Sequence, residues 1–233
     1  MDVQRYKIGD HEIELGFRDG VAPASPYSLL LAENIPILVG QTAVDVGTGS
    51  GLLAIVASLQ GARRVYLLDT YDRALALAQE NARRNGVESG LVVLPIRDSI
   101  LPLPEGERVD VVLSNPAQLP LPERDRANSP FYAGADGRAM IEALIKEAPD
   151  KLSPVGRLLM THNSMANLSK SLRLFRSVGL QPKILAERSL AFRPFINRDW
   201  LDALGGVSEG LYTVRDGAAY ESVYVVEARP QAD

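Results

Sequence analysis

The chain has 233 residues, 46% of them hydrophobic, and a formal net charge of −4 at pH 7. That is enough apolar material for one sizeable domain, and the acidic balance disfavours duplex nucleic acid as a partner, since such binders usually carry a basic footprint. Cysteine is absent and the two histidines are His11 and His162, which excludes a disulfide framework, a thiolate nucleophile and a Cys- or His-rich metal centre.

Basic pairs such as Arg63-Arg64 and Arg83-Arg84 are scattered and leave room only for a local basic face. No apolar run reaches membrane-spanning length, and the first residues do not open a signal peptide. A soluble cytoplasmic protein is the expectation, with oligomeric state open.

Residues 3–18 alternate as strands do around Gly9-Asp10, which predicts an N-terminal hairpin over residues 1–20 ahead of one domain over 21–233. His11 beside the turn reads as exposed. The stretch from Gly20 to Ala32 holds Pro23 and Pro26 and leads into a helix predicted over 29–37, stopped near Pro36. It is expected to wall the ligand site. Thr42-Ala43-Val44-Asp45-Val46 reads as the first core strand, followed by a glycine-rich turn and a helix over about 51–60.

Arg64-Val65-Tyr66-Leu67-Leu68-Asp69 is nearly continuous in apolar character, as expected for a strand covered on both faces. Asp72 is expected to cap the next helix, whose apolar residues Ala74, Leu75, Leu77, Ala78 and Ala82 keep helical spacing up to Asn85-Gly86. Strands follow at 91–94 and 109–113. Residues 116–130 contain four prolines and are too broken for a regular element, which suggests a substrate loop or lid, with closure over 116–133 left open. A helix over 136–148 ended by Pro149, a strand over 156–161, a helix over 165–178 and strands over 180–187 and 222–227 complete the pattern. Residues 188–217 carry no clear motif. The succession of β-α units implies an α/β fold, doubly wound around a mainly parallel seven-stranded sheet.

The chemistry concentrates at strand ends. In Val44-Asp45-Val46-Gly47-Thr48-Gly49-Ser50-Gly51 the glycines permit a tight turn and close approach to a ligand at a helix N-terminus. A dinucleotide site of the G-x-G-x-x-G type would place its third glycine at position 52, which is Leu52. An NAD-dependent oxidoreductase is disfavoured on that ground. Asp69, followed by Thr70, ends the second strand, where a carboxylate can accept from both ribose hydroxyls of an adenosine. Asp98 and Ser99, after the third strand, are candidates for the adenine amine and ring.

The spacing from Asp45 to Gly51 resembles the first motif, D/E-x-G-x-G-x-G, of class I S-adenosylmethionine (SAM) methyltransferases. Asn115-Pro116-Ala117-Gln118 at the tip of the fourth strand resembles the N-P-P-Y/F motif of amino-methyltransferases, which include the release-factor glutamine N5-methyltransferases (HemK-like, of the methyltransferase small domain type) and adenine- and guanine-amine enzymes. Residues 74–81 are similar to the A-L-x-x-A-x-x-N pattern, Phe131 to Gly137 to the glycine-rich segment that follows, and Pro154-Val155-Gly156-Arg157-Leu158-Leu159 to P-G-G-x-L-L. Two departures stand out. The family's second proline is Ala117 and its aromatic is Gln118, and the helical N-terminal domain of the release-factor enzymes is replaced by the short hairpin.

The resemblance implies a Rossmann-like methyltransferase that uses SAM and releases S-adenosylhomocysteine (SAH). Its cofactor residues would be Asp45, Gly47, Thr48, Gly49, Gly51, Asp69, Thr70, Asp98, Ser99 and Asn115. Catalysis would fall to Asn115, whose side-chain oxygen accepts from the target –NH₂, assisted by the Pro116 carbonyl, with Gln118 touching substrate. The acceptor is expected to be an amide or amine nitrogen of a protein side chain or a small molecule. A metabolite O-methyltransferase and a SAM-binding module without catalysis remain the alternatives. His162, just after the fifth strand, is either a base or a satisfied strand-end histidine.

Overall fold

The computed structural model describes residues 2–123, 132–194 and 196–231. The N-terminal hairpin, β1 (Val3–Ile8) and β2 (His11–Gly16), forms a separate two-stranded antiparallel sheet. Its Ile13 and Leu15 are fully buried in the main core. Two asparagines bind it to α3 (Asp72–Arg84): the Asn85 side chain serves both backbone groups of Glu14, and Asn81 Oδ1 accepts from Gly16 N at 2.8 Å. Asn81 Nδ2 also donates to Ser50 O in the glycine turn at 2.9 Å. One buried amide therefore joins the hairpin to the loop after β3 (Thr42–Val46).

The main sheet runs β5-β4-β3-β6-β7-β10-β8, with the short β9 (Thr213–Arg215) beside β10. β3, β4 (Arg64–Asp69), β5 (Leu91–Pro95), β6 (Val109–Ser114) and β7 (Leu152–Asn163) pair in parallel. β10 (Ala218–Pro230) runs antiparallel between β7 and β8 (Leu180–Ala191). This is the expected doubly wound, mainly parallel sheet of seven strands, extended by one small strand. Every residue of β3 is buried. Its Ala43 faces a core built with α1 (Pro26–Ala32), α2 (Leu52–Leu59) and α3, while Val44 and Val46 face a second core with α4 (Ala139–Lys151) and α5 (Leu168–Ser177). Burial on both faces is why the central strands lack polar alternation. Among the described residues no helix is long and apolar enough to cross a membrane.

Several boundaries differ from expectation for local reasons. α1 begins at Pro26 rather than 29 and ends at Ala32: Ser25 caps it reciprocally with Ser28, and Pro26 occupies the first turn, where its missing N–H costs nothing. Asp72 is the first helical residue of α3 rather than its cap; Tyr71 holds that place without a side-chain bond. The carboxylate still favours the positive end of the helix. α4 starts at Ala139 and runs through Pro149 to Lys151, so the proline sits in the last turn and forfeits a single backbone bond. Between β7 and α5 the chain makes a 3₁₀ turn, Ser164–Ala166, and Asn167 at φ 54° caps α5 through Lys170 N. The unassigned stretch 188–217 contains the end of β8, α6 (Arg198–Ala203) and β9. Its Ile196, Leu201, Leu211 and Tyr212 form a third apolar cluster with Leu119, Leu121 and Met165.

Candidate active site

The strand order reverses between β3 and β6, and ligands of open α/β sheets sit outside the carboxyl ends of strands at such a point. Ser114 Oγ donates to Val46 O at 2.9 Å and locks the two strand ends together there. Above them lies a cavity of about 370 Å³. It is bounded by the glycine turn, by the tip of β4, by the segment from Gly20 to Ser28, and by residues 115–119 after β6. The proline-containing segment thus walls the site.

At one end, backbone geometry dominates. Asp69 Oδ2 accepts from Gly49 N at 3.0 Å and Oδ1 from Tyr71 N at 3.0 Å, so the carboxylate is aimed by two amides while remaining on the cavity wall. Gly51 has φ +84°, and a Cβ there would meet the Ala78 backbone at 3.0 Å. The position demands glycine both for its dihedral and for the close helix contact. Gly47, Thr48 and Gly49 line the cavity, as does Thr70.

Asp45 lies behind this wall, fully buried. Its Oδ2 accepts from Thr48 Oγ1 at 2.8 Å and from Ala54 N at 3.2 Å, while Oδ1 has no hydrogen-bond partner among the described residues. Burial pushes this carboxyl up to about 7; the two hydrogen bonds oppose the shift and the nearby Asp69 charge adds to it.

Asp98 is exposed and outside the cavity lining. Ser99 turns its hydroxyl to Glu147 Oε2 at 2.7 Å and is likewise not on the wall. The cavity is lined instead by Tyr71, Ala74, Ile96 and Met140. Sequence reasoning passed over these four because apolar residues at strand ends and helix starts look like ordinary core.

At the other end, side chains from distant segments meet. Asn115 Oδ1 accepts from Thr161 Oγ1 at 2.7 Å, and Asn115 Nδ2 donates to Ser25 Oγ at 3.3 Å. Gln118 is buried, donating from Nε2 to Thr161 Oγ1 at 3.0 Å and accepting at Oε1 from Asn163 N at 2.6 Å. Gln118 borders the cavity, yet both ends of its amide are engaged within the protein. Pro116 and Ala117 also border the cavity. Tyr27 and Arg193 complete this end: Arg193 lies over the Tyr27 ring at 5.1 Å and donates to its hydroxyl at 3.2 Å. Glu221, buried on β10, sits beside Tyr27, and burial raises the pKa of both groups. Thr161, Asn163, Arg193 and Glu221 carried no sequence signal; Ser25 and Tyr27 lie in the proline-containing stretch expected to wall the site, without being singled out.

His162 does not face the cavity. It is fully buried, with Nδ1 at 2.7 Å from Asn163 O and Nε2 at 2.8 Å from Ser171 Oγ. Burial, reinforced by the Arg138 charge and opposed by the Asn163 contact, pushes it down to about 4. It is the satisfied strand-end histidine. Of the stretch expected to be a substrate loop or lid, residues 124–131, Phe131 of the glycine-rich segment among them, lie outside the described residues.

A mainly parallel sheet of this order, with β10 antiparallel between β7 and β8 and a glycine turn after β3, is the class I methyltransferase fold. The chain belongs to the methyltransferase small domain family, whose sequence profile matches residues 25–181, a family of SAM-dependent methyltransferases. It is similar to a putative protein N5-glutamine methyltransferase of Methanocaldococcus jannaschii, 26% identical over 77% of this chain and 91% of the relative. It is 36% identical to the ribosomal protein L11 methyltransferase of Alteromonas mediterranea across 59% of this chain, a match spanning 45% of that relative. Among solved structures, the T. thermophilus 16S rRNA N2 G1207 methyltransferase in complex with AdoMet and guanosine superposes with a TM-score of 0.63 at 18% identity, covering 99% of this chain and 50% of that one. At that identity the likeness concerns the fold.

Proposed function

We propose that this protein transfers the methyl group of SAM to an amide or amine nitrogen, with a protein glutamine side chain as the first acceptor to test. The observation that carries the reading is Asn115-Pro116 at the tip of β6, across the same cavity from the glycine turn. The residues present suit the cofactor. Asp69 would take the ribose hydroxyls, the turn 47–51 would carry the amino-acid portion, and the orphaned Oδ1 of buried Asp45 favours a ligand bearing positive charge nearby. Asp98 and Ser99 would reach the adenine only by leaving their present positions, so Tyr71 and Ile96 are the better adenine contacts.

Bound SAM supplies the activated methyl group and its leaving group. The chain's own task is to orient and desolvate the acceptor nitrogen, and orientation is worth roughly 7–11 kcal/mol in favourable intramolecular models. An amide nitrogen is a poor nucleophile because its lone pair is delocalised. Asn115 Oδ1 has one lone pair left after Thr161, and the Pro116 carbonyl offers another; together they can hold two N–H groups and favour the tetrahedral nitrogen of the transition state. With Gln118 tied inward, no aromatic face from this tetrapeptide covers the acceptor. The relative named for protein N5-glutamine methylation supports an amide target.

Two measurements test the reading. Calorimetric titration with SAH, with NAD as control, should give binding of the first and none of the second. Transfer of labelled methyl from SAM to glutamine-containing peptides should then yield N5-methylglutamine by mass spectrometry. Binding of NAD alone overturns the cofactor assignment. SAH binding with methyl found on oxygen, or on nothing across peptide, amine and metabolite panels, overturns the nitrogen acceptor.

A further inference from the structure

The orientation of a carboxamide is decided by its neighbours, and here the neighbours leave no freedom. Asn163 N is a backbone amide and can only donate. Its 2.6 Å partner on Gln118 must therefore be the oxygen, Oε1, which puts the donor Nε2 at the other end, 3.0 Å from Thr161 Oγ1. Thr161 has one proton. With its oxygen accepting from Gln118, that proton goes to the remaining partner, Asn115, whose nearer atom at 2.7 Å is consequently Oδ1. Asn115 Nδ2 is left to face Ser25 Oγ, which itself caps α1. The chain is directional from end to end. Its inner members are buried: Thr161 is 0% exposed and Gln118 5%.

We infer that Thr161, driven by the backbone amide of Asn163 through Gln118, is the positioning residue that fixes the Asn115 carboxamide with its oxygen on the β7 side of the site. Thr161 touches no substrate. It acts by removing the flipped state of Asn115, in which Nδ2 would meet the Thr161 hydroxyl and the acceptor nitrogen would face a donor. The same chain accounts for Gln118: at this position an amide links β7 to the strand tip, a task an aromatic ring cannot perform. The relay is a property of the structure alone, while its importance for turnover rests on the methyl-transfer reading proposed above.

The test compares Thr161→Val, which keeps the shape and deletes the hydroxyl, with Thr161→Ser, which restores it. Side-chain amide signals of Asn115 and Gln118 are read by ¹H–¹⁵N NMR, alongside SAH affinity and, where a peptide is methylated, kcat and KM. Thr161→Val should move both amide signals and lower kcat about tenfold to a hundredfold at constant KM. SAH affinity should stay constant, and Thr161→Ser should return both signals and most of the rate. If Thr161→Val fails to fold, Gln118→Glu takes its place: a carboxylate next to Thr161 draws the hydroxyl proton away from Asn115, so the Asn115 signal must move. Unchanged Asn115 signals in the folded variant overturn the relay. If wild type methylates nothing across the peptide, amine and metabolite panels, the nitrogen-acceptor reading fails and the amide signals alone decide the relay.

Discussion

The two ends of the cavity are built on different principles. The end proposed to hold the cofactor is made largely by backbone amides and local connections: Asp69 is aimed by Gly49 N and Tyr71 N, and Asp45 by the Thr48 hydroxyl and Ala54 N. The end proposed to receive the acceptor is made by side chains that meet across long separations, with Asn115 bonded to Ser25 and to Thr161, and Gln118 to Thr161. On the proposed reading, the first arrangement holds two carboxylates, Asp69 on the cavity wall and Asp45 behind it, through local contacts. The second consists of side chains that single substitutions would change without touching Asp69. That division is what a fold needs if it is to keep one cofactor and change acceptors.

The largest expected effect lies at the acceptor end. Asn115→Ala should lower kcat by about 10²–10³-fold, in the range found for removing one polar group that stabilises a transition state. SAH affinity should change by less than about threefold. Parallel losses in rate and in SAH binding would erase the division between the two ends. The mirror change, Asp69→Ala, should weaken SAH by about 30- to 150-fold, or roughly 2–3 kcal/mol for charged hydrogen bonds to ribose. The Asn115 and Gln118 amide signals should remain in place. Calorimetry that finds SAH binding nearly intact would remove Asp69 from the cofactor site.

A smaller effect should follow pH. With Asp45 raised to about 7, the folded protein prefers this carboxyl neutral, so its contribution to stability is present at low pH and is lost as pH rises through about 7. A positively charged cofactor favours the ionised form. SAM, with its sulfonium charge, should therefore bind more tightly as pH rises from 6 to 8, by at most about tenfold per pH unit below the pKa, and then level off. SAH, whose sulfur is neutral, should respond less. Asp45→Asn should flatten the profile. A profile that stays steep in Asp45→Asn assigns the titration to another group.

Legibility in the sequence follows the same line. The strand, turn and helix from Thr42 to Leu59, and the acid at Asp69, were readable because periodicity and glycine spacing are local signals. Asn115 was readable because it stands at a strand tip. Thr161, Asn163 and Arg193 were not, since nothing within a few residues of each distinguishes them from neighbours; only the sheet order brings them to Asn115. Gln118 shows the limit most clearly. Its identity marked a departure from N-P-P-Y, but its inward tie depends on β7 lying beside β6. The split between Ala166 and Leu168 was hidden because Asn167 adopts a left-handed conformation that the surrounding apolar spacing does not reveal.

The placement of β10 sets an order of events during synthesis. It is the last strand of the sequence, yet it lies between β7 and β8. Until it emerges, both of those 12-residue strands lack their shared partner, and Glu221 has not reached Tyr27. The glycine turn, Asp69 and Asn115 have all left the ribosome by then. A nascent chain can therefore shape the cofactor end while the acceptor end waits for the closing strand, and the open flank of β7 is where chaperone protection of the growing polypeptide has most to do.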